Sequence, residues 1–125
     1  PYGLFGPVVH GDGRGQRLGF PTANVQTEQL LPPSGVYMAR TEILGLQHLS
    51  VVNIGYAPPM RAATRPLVEV HLPDFDGDLY GSDLLISLLS KLRPEQRFPN
   101  PEALVEQIKQ DVCRVKEMAE NSKTS

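Results

Sequence analysis

A glycine-spaced loop, a hydroxyl and a carboxamide two residues apart, and a carboxylate inside an apolar run are the features of this sequence that could do chemistry. The loop follows His10 and carries Gly11, Gly13, Gly15 and Gly19. Glycines permit left-handed dihedrals and close backbone approach, so successive amide N–H groups can converge on an anion such as a phosphate. Arg14 and Arg17 could add charge. A plain surface turn has the same composition. The dinucleotide fingerprint is excluded because Gln16 and Leu18 stand where a glycine is required, and a P-loop is excluded because no Gly-Lys-Ser/Thr follows.

Thr22 and Asn24 lie on one side of the chain if the backbone there is extended. Their oxygens suit Mg²⁺, which takes a few protein donors and completes its shell with phosphate oxygens and water. The plainer reading is a polar turn after Pro21. Glu69 sits among Val68, Val70 and Leu72, and its carboxylate either faces solvent or lines a cleft where it can take a proton from a substrate hydroxyl. His71 reads as a hydrogen-bonded neighbour, since no second His or Cys stands at ligand spacing. The acidic run from Asp74 fails as an EF-hand loop, because its twelfth position is Leu85, and its Asp-Gly instead signals a turn. The segment Leu92-Arg-Pro-Glu-Gln-Arg-Phe98 is either a solvated linker or a place where an Arg and a Phe grip a flat conjugated ring.

Those residues need a scaffold, and the punctuation of the chain describes one. Twelve Pro and eleven Gly are spread along the whole sequence, with short apolar runs between them, as in a compact β-rich domain. Strands are expected at Phe5 to His10, Gly35 to Ile43, Leu49 to Ile54 and Leu67 to Leu72. In the second of these, Tyr37, Ala39, Thr41 and Ile43 share a face. In the last, Val68, Val70 and Leu72 oppose Leu67, Glu69 and His71. Leu84 to Leu92 fits both a strand and an apolar helical stripe, and is taken as strand. From Pro101 the period becomes helical through Leu104, Ile108, Val112, Val115 and Ala119, with Asn100 as N-cap and Pro101 at the first helical position. The helix is expected over about 101–119, with a frayed tail at 121–125.

With 125 residues, 40% hydrophobic and 21% charged, the chain is expected to form one domain spanning 1–125 with its own core. No stretch approaches the roughly 20 apolar residues of a membrane helix, and Pro1-Tyr2-Gly3 has neither the basic nor the apolar part of a signal peptide. The absent initiator Met points to a trimmed chain or one cut from something longer. A formal charge of −2 without a basic run argues against a nucleic-acid partner. Cys113 is the single cysteine, so neither an internal disulfide nor a paired-cysteine zinc site is expected, and a reducing, cytoplasmic setting and a monomer are.

Taken in order, His10-Gly-Asp-Gly-Arg-Gly15, Leu18-Gly-Phe-Pro-Thr-Ala-Asn24, Gly35-Val-Tyr37, Val52-Asn-Ile-Gly55, Val68-Glu-Val-His71, Asp74-Phe-Asp-Gly-Asp-Leu-Tyr-Gly81 and Leu92-Arg-Pro-Glu95 resemble the riboflavin kinase family. The match runs from about Phe5 to Asp111. Pro59-Met60 departs from the Thr-Phe that many bacterial members carry there. The resemblance implies a mainly β fold, a small six-stranded Greek-key β-barrel with a C-terminal α-helix. It implies an ATP:riboflavin 5′-phosphotransferase that makes FMN and ADP, with Mg²⁺ or another divalent metal. By analogy Glu69 is the catalytic base, and Thr22 and Asn24 hold the metal. Gly11, Gly13, Gly15, Arg17, Thr22, Leu72, Asp74 and Tyr80 serve ATP, while Arg93, Gln96 and Phe98 serve the flavin. In many bacteria such a domain is the C-terminal half of a bifunctional protein that also adenylylates FMN. The reading from another class is a non-catalytic flavin- or nucleotide-binding regulatory module on the same barrel.

Overall fold

The computed structural model describes residues 2–9, 22–25, 27, 32–56, 66–75, 82–96 and 98–124. They form β1 (Tyr2–Val9), β2 (Thr22–Val25), β3 (Gly35–Ile43), β4 (Leu46–Tyr56), β5 (Pro66–His71), β6 (Asp83–Arg93) and α1 (Pro101–Thr124). The strands close into an antiparallel barrel in the order β1-β2-β5-β4-β3-β6. β3, β4 and β5 make a meander, and β2 returns beside β5, which is the Greek-key arrangement expected. Among the described residues no helix is long and apolar enough to cross a membrane.

Alternation along each strand decides what lies inside. Tyr37, Ala39 and Ile43 of β3, Val52 and Ile54 of β4, Val68 and Val70 of β5, and Leu84, Ile86 and Leu88 of β6 fill the barrel together with Leu4, Val8, Ala23, Val25 and Leu72. Thr41 is buried among them, and its hydroxyl is satisfied by that of Ser50 at 2.8 Å. Burial raises the Tyr37 phenol above its ordinary 10.0, and the neutral hydroxyl donates to the Pro33 carbonyl at 2.6 Å.

β6 settles the ambiguity at Leu84 to Leu92. Leu85 and Leu89 stay 44% exposed while Leu84, Ile86 and Leu88 are buried, the signature of period two and not of a helical stripe. The register between β3 and β6 shifts at Val36/Tyr37 and Met38/Ala39. Beyond these irregularities Leu92 packs outside the barrel with Val36, Met38 and Val51, and Val112 and Val115 of α1 cover that patch. The helix begins as expected, with the Ala103 amide donating to Asn100 Oδ1 at 2.8 Å. It continues to Thr124, beyond the expected end near 119 and through most of the tail expected to fray, because the apolar stripe stops there but no Gly or Pro follows to break the helix.

The β3–β4 hairpin turns on Leu44 and Gly45, both at positive φ, 51° and 83°. Two consecutive positive φ values make the turn whose twist matches the strands, and it favours Asn at the first position. Leu44 is 92% exposed, so its side chain gains nothing in return for a left-handed backbone. Leu44→Asn is expected to raise the free energy of unfolding by roughly 1 kcal/mol. Urea denaturation with an unchanged m-value checks it.

Candidate functional site

The outer face of the barrel carries the polar residues that the inner face excludes. On β2, Ala23 and Val25 point inward, so Asn24 faces out; on β5, Val68 and Val70 leave Glu69 and His71 outside; on β4, Val52 and Ile54 leave Val51 and Asn53 there. Register joins these positions into rows. Asn24 pairs with Glu69, and Glu69 pairs with Asn53; one step along, Thr22 pairs with His71, and His71 with Val51. Directly opposed residues of antiparallel strands lie about 4.5–5.5 Å apart at Cα. The first row is therefore a carboxamide, a carboxylate and a second carboxamide in line across three strands.

Facing out does not leave these groups in bulk water. Glu69 is 6% exposed and His71 1%. Of the two readings left open for Glu69, the solvent-facing one is thus not what the fold adopts. Asn24 and Asn53 are half-buried.

Beside the row lies a narrow cleft of about 370 Å³ counting its open mouth. Asn53 and His71 form part of its floor, Arg93, Gln96 and Phe98 one wall, and Ile108 of α1 the other. The wall is tied to the helix. Arg93 donates to Asp111 from Nε at 3.1 Å to Oδ1 and from Nη2 at 2.8 Å to Oδ2, and Gln107 donates to the same carboxylate at 3.2 Å. The Arg93 guanidinium also lies 5.9 Å from the centre of the Phe98 ring, within cation–π range. Arg114 donates to the Leu92 carbonyl at 3.0 Å, a second tie between α1 and the end of β6. At Gly55 a Cβ would meet only the Glu95 carboxylate, the end of an exposed side chain that can move aside.

Asp111 is 3% exposed, and removing it strands a guanidinium that is itself mostly covered. Hydrogen bonds to charged groups contribute about 1.5–3 kcal/mol. Asp111→Ala is accordingly expected to destabilise the domain by about 2 kcal/mol, discounted for the part of Arg93 that reaches water. The shift in the urea midpoint measures it.

The structure brings Asn24 and Glu69 into direct opposition, and Arg93, Gln96 and Phe98 onto one cleft. Thr22 takes its register position opposite His71. Leu72 is fully buried and packs in the barrel core. Asp74 is exposed and pairs with Lys116 of α1 at 3.6 Å, a solvated contact of little energetic weight. Gly11, Gly13, Gly15, Arg17 and Tyr80 lie outside the described residues. Sequence reasoning passed over Asn53 and Asp111. Each carried a signal: a carboxamide in the apolar run Val51-Val-Asn-Ile54, and a carboxylate seven residues after Leu104, on the apolar stripe of the helix.

Among the described residues no group of three or more His, Cys, Asp or Glu could hold a metal ion. Asn24, half-buried on the outer face of β2, offers a carboxamide oxygen of the kind Mg²⁺ takes alongside waters and substrate phosphates.

Residues 1–119 match the family model described as Flavokinase: Riboflavin kinase. The chain is 40% identical over 115 residues to the bifunctional riboflavin kinase/FMN adenylyltransferase of Bacillus subtilis (strain 168), covering 89% of this chain and 36% of that protein. It thus spans little more than a third of that curated relative. Among solved structures it is similar to riboflavin kinase from Trypanosoma brucei, with a TM-score of 0.63, 27% identity, and coverage of 94% of this chain and 79% of that one. A structure from Streptococcus pneumoniae described as a macrolide-efflux protein superposes with a TM-score of 0.83 and 30% identity, over 93% of this chain and 38% of that one.

Proposed function

The chain belongs to the riboflavin kinase family, and on that premise we propose that it transfers the γ-phosphate of ATP to the 5′-hydroxyl of riboflavin, giving FMN and ADP. The observation that carries the reading is Glu69, a carboxylate withdrawn from solvent at 6% exposure, opposed by Asn24 on one side and on the other by Asn53, which lines a cleft. Such a carboxylate accepts a hydrogen bond from the 5′-hydroxyl and holds its oxygen in line with the γ-phosphorus. As the new O–P bond forms, the proton passes to Glu69 and the bond to the β-phosphate oxygen breaks, releasing ADP. Phosphoryl transfer asks for positioning and charge neutralisation more than for covalent chemistry by the protein, so no nucleophilic side chain is required.

Thr22 and Asn24 are the residues that would hold Mg²⁺. The ion would supply positive charge to offset that of the reacting phosphates. The glycine loop with Gly11, Gly13, Gly15 and Arg17 covers the nucleotide phosphates in this reading, and Asp74 and Tyr80 flank the nucleotide. Leu72 contributes there through its backbone alone, since its side chain is committed to the barrel core. On the flavin side, Gln96 and Phe98 meet the ring system. Arg93 holds that wall in place through Asp111 while its guanidinium face stays on Phe98.

Incubation with riboflavin, ATP and Mg²⁺, followed by chromatographic separation of the flavins, tests the proposal. Formation of FMN is expected. Riboflavin bound without conversion would identify a non-catalytic flavin-binding module on the same barrel.

A further inference from the structure

The Oδ1 atom of Asn53 is buried and, among the described residues, has no hydrogen-bond partner. A buried carbonyl-type oxygen left unpaired costs about 1–3 kcal/mol, so the position calls for a hydrogen-bond donor from water or from a bound molecule. Asn53 forms part of the floor of the cleft, and its register partner on β5 is Glu69. We infer that Asn53 binds a secondary hydroxyl of the ribityl chain and so selects polyol-bearing flavins for the reaction at Glu69. This inference rests on the proposed kinase activity and adds to it the side from which the acceptor approaches.

Chemistry and spacing choose among the groups that could satisfy Asn53. Phosphate oxygens only accept hydrogen bonds at neutral pH, so a nucleotide phosphate leaves Oδ1 unpaired. A metal ion held by Asn24 is out of reach, because Asn24 and Asn53 lie on opposite sides of Glu69, roughly 10 Å apart across two strand spacings. A hydroxyl both donates and accepts, and therefore satisfies the carboxamide in either orientation of its end. The ribityl chain carries hydroxyls at its 2′, 3′ and 4′ carbons, next to the 5′-hydroxyl assigned to Glu69. In the row Asn24–Glu69–Asn53 the phosphoryl donor then lies toward β2 and the acceptor chain toward β4, where the cleft opens.

The test compares riboflavin with a flavin bearing a 5-hydroxypentyl chain at N10, which keeps the terminal hydroxyl and lacks the other three. The parent protein is expected to use riboflavin with a kcat/KM on the order of 10- to 100-fold higher than the analogue. In Asn53→Ala that preference collapses to within a few-fold, by a rise in KM for riboflavin, while kcat/KM for the analogue stays near the parent value. Should Asn53→Ala fail to fold, Asn53→Ser carries the same comparison, since its shorter side chain cannot reach the same hydroxyl. Equal losses on both flavins, or a preference retained by the variant, overturn the assignment while leaving the kinase reading intact. A parent protein that phosphorylates neither flavin overturns both.

Discussion

Glu69→Gln is expected to lower kcat for FMN formation by about 10²–10⁴-fold, the usual contribution of a positioned general base. Glutamine keeps the size of the side chain and an acceptor oxygen, so the 5′-hydroxyl can still be held. What it loses is the capacity to take the proton as the O–P bond forms. Riboflavin affinity, followed by quenching of flavin fluorescence, is expected to change little and serves as the control. Because Glu69 is 6% exposed, the variant's thermal melt belongs beside the kinetics, to separate a chemical loss from a folding one. A kcat within a few-fold of the parent, in a protein that melts normally and binds riboflavin, would leave the carboxylate only a positioning role.

Asn24→Ala is expected to reduce turnover by on the order of 10²-fold or more at millimolar Mg²⁺, with part of the loss recovered as Mg²⁺ is raised. The side chain is half-buried on the outer face and contributes nothing to the barrel core, so the cost in stability should stay near that of a surface substitution. Chelation of divalent ions should abolish turnover in the parent. A variant with undiminished turnover and the parent's Mg²⁺ dependence would remove Asn24 from the metal site.

How far the sequence reveals this arrangement varies with the physics behind each element. β5 was legible because its alternation is clean: Val68 and Val70 face the core, as does Leu72 just past its end, while Glu69 and His71 take the opposite face. The same pattern could not say whether Glu69 met water, since what covers it comes from elsewhere in the fold. β2 is only four residues long, too short for a period, and its pairing with β1 and β5 is non-local. The Greek-key barrel is therefore implied by the family resemblance and not by periodicity, and the strand order is read from the structure. Leu84 to Leu92 was ambiguous because its leucines satisfy both periods, and the choice is made by pairing with β1 and β3. Arg93 shows a different limit. An arginine beside an aromatic reads as a ring clamp, but its partner Asp111 lies 18 residues away on the helix and becomes visible only when α1 docks.

The most direct measurement follows the phosphorus. Riboflavin is incubated with Mg²⁺ and ATP labelled either in the γ- or in the α-phosphate, and the flavins are separated and counted. If Glu69 delivers the 5′-hydroxyl to the γ-phosphorus, label from γ-labelled ATP appears in FMN in step with ADP release, and none comes from α-labelled ATP. Flavin that remains unlabelled while it binds, or ATP hydrolysed to ADP and inorganic phosphate at the same rate with and without riboflavin, would contradict phosphoryl transfer at this site.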